Sequence, residues 1–188
     1  MNEITDLTDD ELMTRGASGD QDSLRILIER WETPVFAFLE RMLGSSEEAQ
    51  EIAQETFFRM CSHADRYRPS GRFRSWLFRI AGNLARSKLR RRAVLRFVRF
   101  DTGIHTVPTV DSMPDHSLEY NELREHVRNA LSRISPRQRQ ALVLRHYHDM
   151  SYQEIADTMK TTVSAVESLL HRGMNALKMD FERRKVFP

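Results

Sequence analysis

Apolar residues recur every three or four positions through most of this chain, and no segment alternates them at the two-residue period of a half-buried strand. That spacing confines the fold to packed helices. Residues 24–43 carry Leu24, Leu27, Ile28, Trp31, Val35, Leu39 and Met42 on one side, with Pro34 expected to kink the helix or split it in two. Gly44 ends that segment, and Ser45 with Glu48 forms a capping box for the next. There Ala49, Ile52, Ala53, Thr56, Phe57 and Met60 keep helical spacing, while Glu47, Glu51, Gln54 and Glu55 take the other face. Tyr67 to Arg72 is turn chemistry, and a third helix follows with Phe73, Trp76, Leu77, Ile80, Ala81 and Leu84 inward.

Residues 95–118 lose the period and hold Gly103, Pro108 and Pro114, which marks a linker. A stripe then resumes over 119–134 with Leu123, Val127, Ala130, Leu131 and Ile134. Ser135-Pro136-Arg137-Gln138 places an N-cap, a first-turn proline and a capping glutamine. Ser151 and Glu154 open a short helix to about Met159, and Thr161-Thr162 starts the last, to about Lys178. The expectation is an all-α chain of two small helical domains, 1–94 and 119–181, joined by a flexible linker at 95–118, with a tail at 182–188.

The charge is unevenly placed. The net value is +2. Residues 1–65 hold 15 acids against 5 bases, whereas residues 66–99 hold 12 bases and no acid. A helix usually mixes signs for its own stability, so an acid-free stretch of this length points to a polyanionic partner rather than a solvated face. Arg72, Arg79, Arg86, Lys88 and Arg90–Arg92 form a candidate stripe for a phosphate backbone, with Arg68 in the loop before it. Tyr67, Phe73, Trp76 and Phe78 near its start either stack on unpaired bases or belong to the core, spacing alone favouring core for Trp76. Asn83 carries an amide suited to a base edge.

Residues 152–171 fit a helix-turn-helix, with Ala156 at the close crossing, Ile155, Val166 and Leu170 between the helices, and the turn near Lys160. A plain helical hairpin has the same pattern; two capped starts and the basic segment favour the DNA-binding reading. Its second helix would present Thr162, Ser164, Glu167, Ser168, His171 and Arg172 to a major groove. Lys160 stands where such turns often use glycine, so either it adopts positive φ or the turn differs.

These segments together resemble a bacterial sigma factor of the extracytoplasmic-function group. The resemblance covers about residues 10–180 and rests on five stretches in order. They are Gly19-Asp20; Glu51-Ile-Ala-Gln54-Glu55-Thr-Phe57; Phe73-Arg-Ser-Trp76-Leu-Phe-Arg79-Ile-Ala-Gly-Asn83; Leu131-Ser-Arg-Ile-Ser-Pro136-Arg-Gln138-Arg139; and Ser151-Tyr152-Gln-Glu154-Ile155-Ala156. It implies that Glu51, Gln54 and Glu55 dock on core RNA polymerase. It implies that the loop Tyr67 to Arg72, with Trp76, Arg79 and Asn83, melts the minus-ten element of promoter DNA and captures a flipped base. The helix-turn-helix would read the minus-thirty-five element, and an anti-sigma factor would hold the protein inactive. Glu167 and Leu169 stand where the family often has Lys or Arg.

Other chemistry finds little footing. His146 and His148 diverge at i, i+2 on a helix, the single Cys61 reads as core, and neither a phosphate-binding glycine loop nor a nucleophile motif is present. The expectation is a non-enzyme without cofactor or metal. The acidic first ten residues, the lone cysteine and the lack of a long apolar run suggest a cytoplasmic protein without membrane insertion. A stand-alone repressor and a pure protein adaptor remain alternatives, the first leaving the acidic helix unexplained and the second the basic one.

Overall fold

A computed structural model describes residues 6–101 and 118–184, all helix and short connections. Eight α-helices stand among the described residues: α1 Asp9–Ala17, α2 Gln21–Leu43, α3 Ser46–Ser62, α4 Phe73–Asp101, α5 Leu118–Arg133, α6 Pro136–Tyr147, α7 Tyr152–Met159 and α8 Val163–Arg184. A 3₁₀ turn, Ala64–Arg66, precedes the loop into α4. The all-α expectation holds.

The caps written in the sequence are made. Ser135 and Gln138 close a reciprocal capping box on α6 with Pro136 at its start, and Ser151 and Glu154 do the same for α7. Ser45 accepts from the Glu48 N–H at 3.3 Å, but the Glu48 carboxylate turns away to Arg92 at 3.2 Å. Gly44 ends α2 at φ 71°, the left-handed conformation that glycine tolerates best.

Two features depart from the expectation. Pro34 does not split α2, which runs unbroken for 23 residues; its apolar stripe packs on both sides of the proline and holds the helix together. A first helix, α1, was missed: Thr8 and Glu11 cap it reciprocally, and only Leu12, Met13 and Gly16 are buried, too few to show a period. The expected linker at 95–118 opens within α4, which continues to Asp101, because no proline or glycine interrupts it between Gly82 and Gly103. The rest of the expected linker, 102–117, lies outside the described residues, as does the end of the tail, 185–188.

Helix α1 is pinned to α2 by Asp9, which accepts from Arg30 at 2.6 Å and from the Trp31 indole at 3.1 Å. Leu12, Met13, Leu27, Val35, Phe38, Leu39, Met42, Ile52, Met60, Leu77 and Phe78 form the core of α1–α4. Ala141, Val143, Leu144, Met150, Ile155, Val166 and Leu170 do so for α5–α8. The two groups meet where α6 and α7 lie across α2 and α4.

Candidate nucleic-acid interface

The aromatic residues at the start of α4 are a cluster and not a row of free platforms. Phe73 and Phe78 are buried, and their rings meet Trp31 at 6.1 and 6.0 Å; Phe38 stands edge-on to Phe78 at 5.2 Å. Tyr67, expected to meet bases, is buried with its ring 5.0 Å from Trp76. Its hydroxyl donates to Asp10, and burial first, then that carboxylate, pushes its pKa well above the ordinary range. Trp76 is half-buried and retains an exposed edge. The packing wins over the stacking role for Tyr67, Phe73 and Phe78, since each ring buries more area in the cluster than a surface position would allow.

From Phe73 to Arg92 the helix α4 carries no acid, and the carboxylates that pair with its bases come from other helices. Lys88 pairs with Glu51 at 2.6 Å and Arg92 with Glu48 at 3.2 Å, both on α3. From α7, Asp157 meets the exposed Arg72 at 3.2 Å, and its carbonyl accepts from Arg79 at 2.6 Å. Arg74 donates to the His148 carbonyl, and Arg86 donates to the Gln140 side chain and to Asn83. Arg79 and Arg86 are thereby half-buried, whereas Arg68, Arg72, Asn83 and Arg90 stay exposed. Gly82 permits this contact: a Cβ there would lie 2.3 Å from the Gln140 amide.

This junction is polar and poorly suited to positive charge. Arg79 Nε, Arg139 Nε, Gln140 Nε2 and His148 Nε2 are buried there without a hydrogen-bond partner in the protein. Burial pushes Arg139 down to about 10, helped by nearby Arg92. Arg86 is lowered by burial, then by Arg137 and Arg90. His148, packed against Phe38 and Phe78, is pushed down to about 4 by burial and by Arg41 and Arg74. Beside the junction a cleft of about 630 Å³ gathers Asn83, Arg86 and Arg90 of α4, the start of α6 with Arg137, and Arg172 of α8, with no carboxylate on its walls.

On α3, Glu51 and Gln54 are exposed and Glu55 is half-buried, held by Arg59 at 2.7 Å. Sequence reasoning missed Phe58, which is 67% exposed on the same stripe. Its position three residues after Glu55 was the available signal. Phe58 lines a shallow cleft together with Glu51, Gln54, Glu55 and Lys88.

The helix-turn-helix is formed by α7 and α8. Ala156 is buried at the crossing with Ile155, Val166 and Leu170, as the spacing predicted. Lys160 takes the first of its two alternatives, at φ 49°, and ends α7. Thr162, Ser164, Glu167, Ser168, His171 and Arg172 are all exposed. The Thr162 hydroxyl accepts from the Ala165 N–H at 3.2 Å, capping α8, and Arg172 Nε donates to the Ser168 carbonyl at 3.1 Å, leaving the rest of its guanidinium free to reach outward. Leu169 is buried on the packed side, so an apolar residue suits that position.

Among the described residues no cluster of His, Cys, Asp or Glu is placed to hold a metal, and no helix is long and apolar enough to cross a membrane.

Comparison with known proteins agrees with this geometry. Residues 27–94 match Sigma-70 region 2, and residues 124–177 match Sigma-70, region 4. The RNA polymerase sigma factor CarQ of Myxococcus xanthus is 31% identical over 88% of this chain and 93% of its own length. The ECF RNA polymerase sigma factor SigE of Mycolicibacterium smegmatis is also 31% identical, over 86% of this chain, which spans 64% of that longer protein. Among solved structures, CnrH in complex with the cytosolic domain of CnrY is 25% identical, with a TM-score of 0.67 over 93% of this chain and 97% of that one. The shared helices, their order and this family match place the chain in the sigma-70 family of RNA polymerase sigma factors, within the extracytoplasmic-function group that directs the polymerase to specific promoters.

Proposed function

We propose that the chain engages core RNA polymerase through the outer face of α3, holds the opened minus-ten strand on α4 and the loop before it, and reads the minus-thirty-five duplex with α8. The polymerase contact would use Glu51, Gln54 and Glu55, with Phe58 seated among them. The loop and Arg68, Arg72, Trp76, Arg79, Asn83, Arg86 and Lys88 would take the minus-ten strand, with Tyr67 supporting the loop from inside the fold. Thr162, Ser164, Glu167, Ser168, His171 and Arg172 would face the minus-thirty-five groove. Residues 1–94 and 119–181 would act as the two working units, on a linker at 95–118 into which α4 extends, with 182–188 as tail.

One observation carries this reading. Among the described residues, the carboxylates paired with the bases from Arg72 to Arg92 are all borrowed, from Glu48 and Glu51 on α3 and from Glu154 and Asp157 on α7. When α6 and α7 move away, Arg72, Arg74, Arg79 and Arg86 become a bare cationic surface, and DNA phosphates can replace the carboxylates and carbonyls they now hold. The described arrangement is therefore the one in which promoter binding is off, and polymerase must separate the two units. A chain of this size cannot supply the few kcal/mol that each base-pair step costs to unstack, so melting requires the polymerase contacts.

The role is that of an initiation factor with no chemistry of its own, working in the cytoplasm beside the polymerase. A protein ligand for the closed form is supported by the CnrH match, since that chain was solved with a bound protein domain. The kind expected here is an anti-sigma factor.

Core polymerase supplied with the purified chain should transcribe from a specific promoter in a promoter library. A folded chain that yields no transcript with active core would sink the proposal. The triple variant Arg79→Ala, Arg86→Ala, Arg90→Ala should retain polymerase binding and lose promoter opening. Tight duplex binding without core enzyme would instead favour a stand-alone repressor.

A further inference from the structure

We infer that Asp10, on the first turn of α1, is the residue that positions the loop Tyr67 to Arg72 for base selection. Its carboxylate joins three groups of that loop across 57 to 61 positions of sequence. One oxygen accepts from the Tyr67 hydroxyl, and the other accepts from the backbone N–H of Ser70 at 2.8 Å and of Gly71 at 2.5 Å. Charge-assisted bonds from adjacent N–H groups to one carboxylate are strong and directional, so the loop is held at both ends of its turn. Gly71 sits at φ 66°, a conformation that the loop alone would populate only part of the time and that the carboxylate selects.

The same carboxylate meets a second need. Helix α4 begins with no acid in its first turn, and Arg72, whose carbonyl accepts from the Trp76 N–H at 3.0 Å, carries a basic side chain that cannot cap. The N-terminal end of a helix favours negative charge, and here the charge comes from another helix. Asp10 is itself fixed, because its neighbour Asp9 ties α1 to Arg30 and Trp31 and because Leu12 and Met13 are fully buried. A rigid α1 therefore carries the loop's position, in the way that a supporting shell fixes the residues that touch a ligand.

This inference rests on the proposal that the loop takes an unpaired base. Asp10 would not touch DNA; it is a positioning residue, and its loss should show as lost discrimination rather than lost folding. The test uses holoenzyme assembled from core polymerase and the full chain. Open-complex yield is measured on a promoter set in which each minus-ten base is changed in turn to all four. The unmodified chain should show a spread of about fivefold or more at the captured position, the size expected of one good base contact. Asp10→Ala should lower the melting temperature modestly, since it leaves the buried Tyr67 hydroxyl without its acceptor, and should compress that spread to under about twofold while the chain stays folded at the assay temperature and its core binding holds. Tyr67→Phe should narrow the spread at the same position, and Asp10→Asn, which retains one accepting oxygen, should restore part of it. Equal weakening on all four bases, or an unchanged spread, would overturn the inference. An unmodified holoenzyme without preference at any minus-ten position would remove the base-capture reading, and this inference with it.

Discussion

Arg172 on α8 and Asn83 on α4 are both exposed, and each has a proposed role in DNA reading that one substitution tests. Arg172→Ala should weaken binding of the holoenzyme to a minus-thirty-five duplex by about 1–3 kcal/mol if it reads a base. Unchanged affinity in a titration would show that the contact is not made. Asn83, whose carbonyl oxygen accepts from Arg86 in the closed form, should broaden minus-ten selection when changed to alanine, measurable on the same promoter set. At this scale the sequence was a good guide to exposure on α8, because helical spacing alone separates Val166 and Leu170 from Ser168 and His171, although it did not place Leu169 inside. It was a poor guide to Tyr67. A tyrosine beside arginines reads as a stacking platform until Asp10 and Trp76, far away in the chain, are seen to enclose it.

Among the elements, α8 carries a glycine for a packing reason. A Cβ on Gly173 would stand 2.8 Å from Leu142 Cδ1 and 3.3 Å from Leu142 Cγ on α6. Overpacking of this kind costs about 1–3 kcal/mol, and removing a helical glycine returns about 1 kcal/mol. Gly173→Ala should therefore lower the melting temperature modestly, with a net loss of about 1 kcal/mol in thermal unfolding; a rise would mean that Leu142 moves aside freely. The capped starts of α6 and α7 were legible because a capping box is a local pattern three residues long. The continuation of α4 to Asp101 and the presence of α1 were not, since α1 buries only Leu12, Met13 and Gly16 and no strong period runs past Arg92.

For the whole molecule, the junction of α2 and α4 with α6 and α7 should respond to pH through His148. Its pKa is about 4 when closed, against an ordinary value of 6.5 once the units part. Above 6.5 the ring is neutral in both states and closure carries no protonation cost. As the pH falls from 6.5 toward 4, only the open form takes up the proton, so closure weakens by up to about 1.4 kcal/mol per pH unit. A distance probe spanning the two units should report opening between pH 6.5 and 4, and His148→Phe should flatten that response. An equal response in the variant would show that another group controls it. The histidine was read from the sequence as a weak metal candidate; only the rings of Phe38 and Phe78, from two other helices, reveal what surrounds it.

Helix content, caps, the acid-free basic segment and the helix-turn-helix all follow from interactions within about four residues, which is why a reading of the chain reaches them without coordinates. The pairing of charges does not. Which carboxylates cover α4, which aromatic rings are core and which carboxylate steadies the loop depend largely on contacts between helices far apart in the chain, from Lys88 with Glu51 to Arg72 with Asp157. Hydrophobic patterning says which face is buried, but it does not say against what. That choice was made when α7 came to rest on α4 and α1 on the loop.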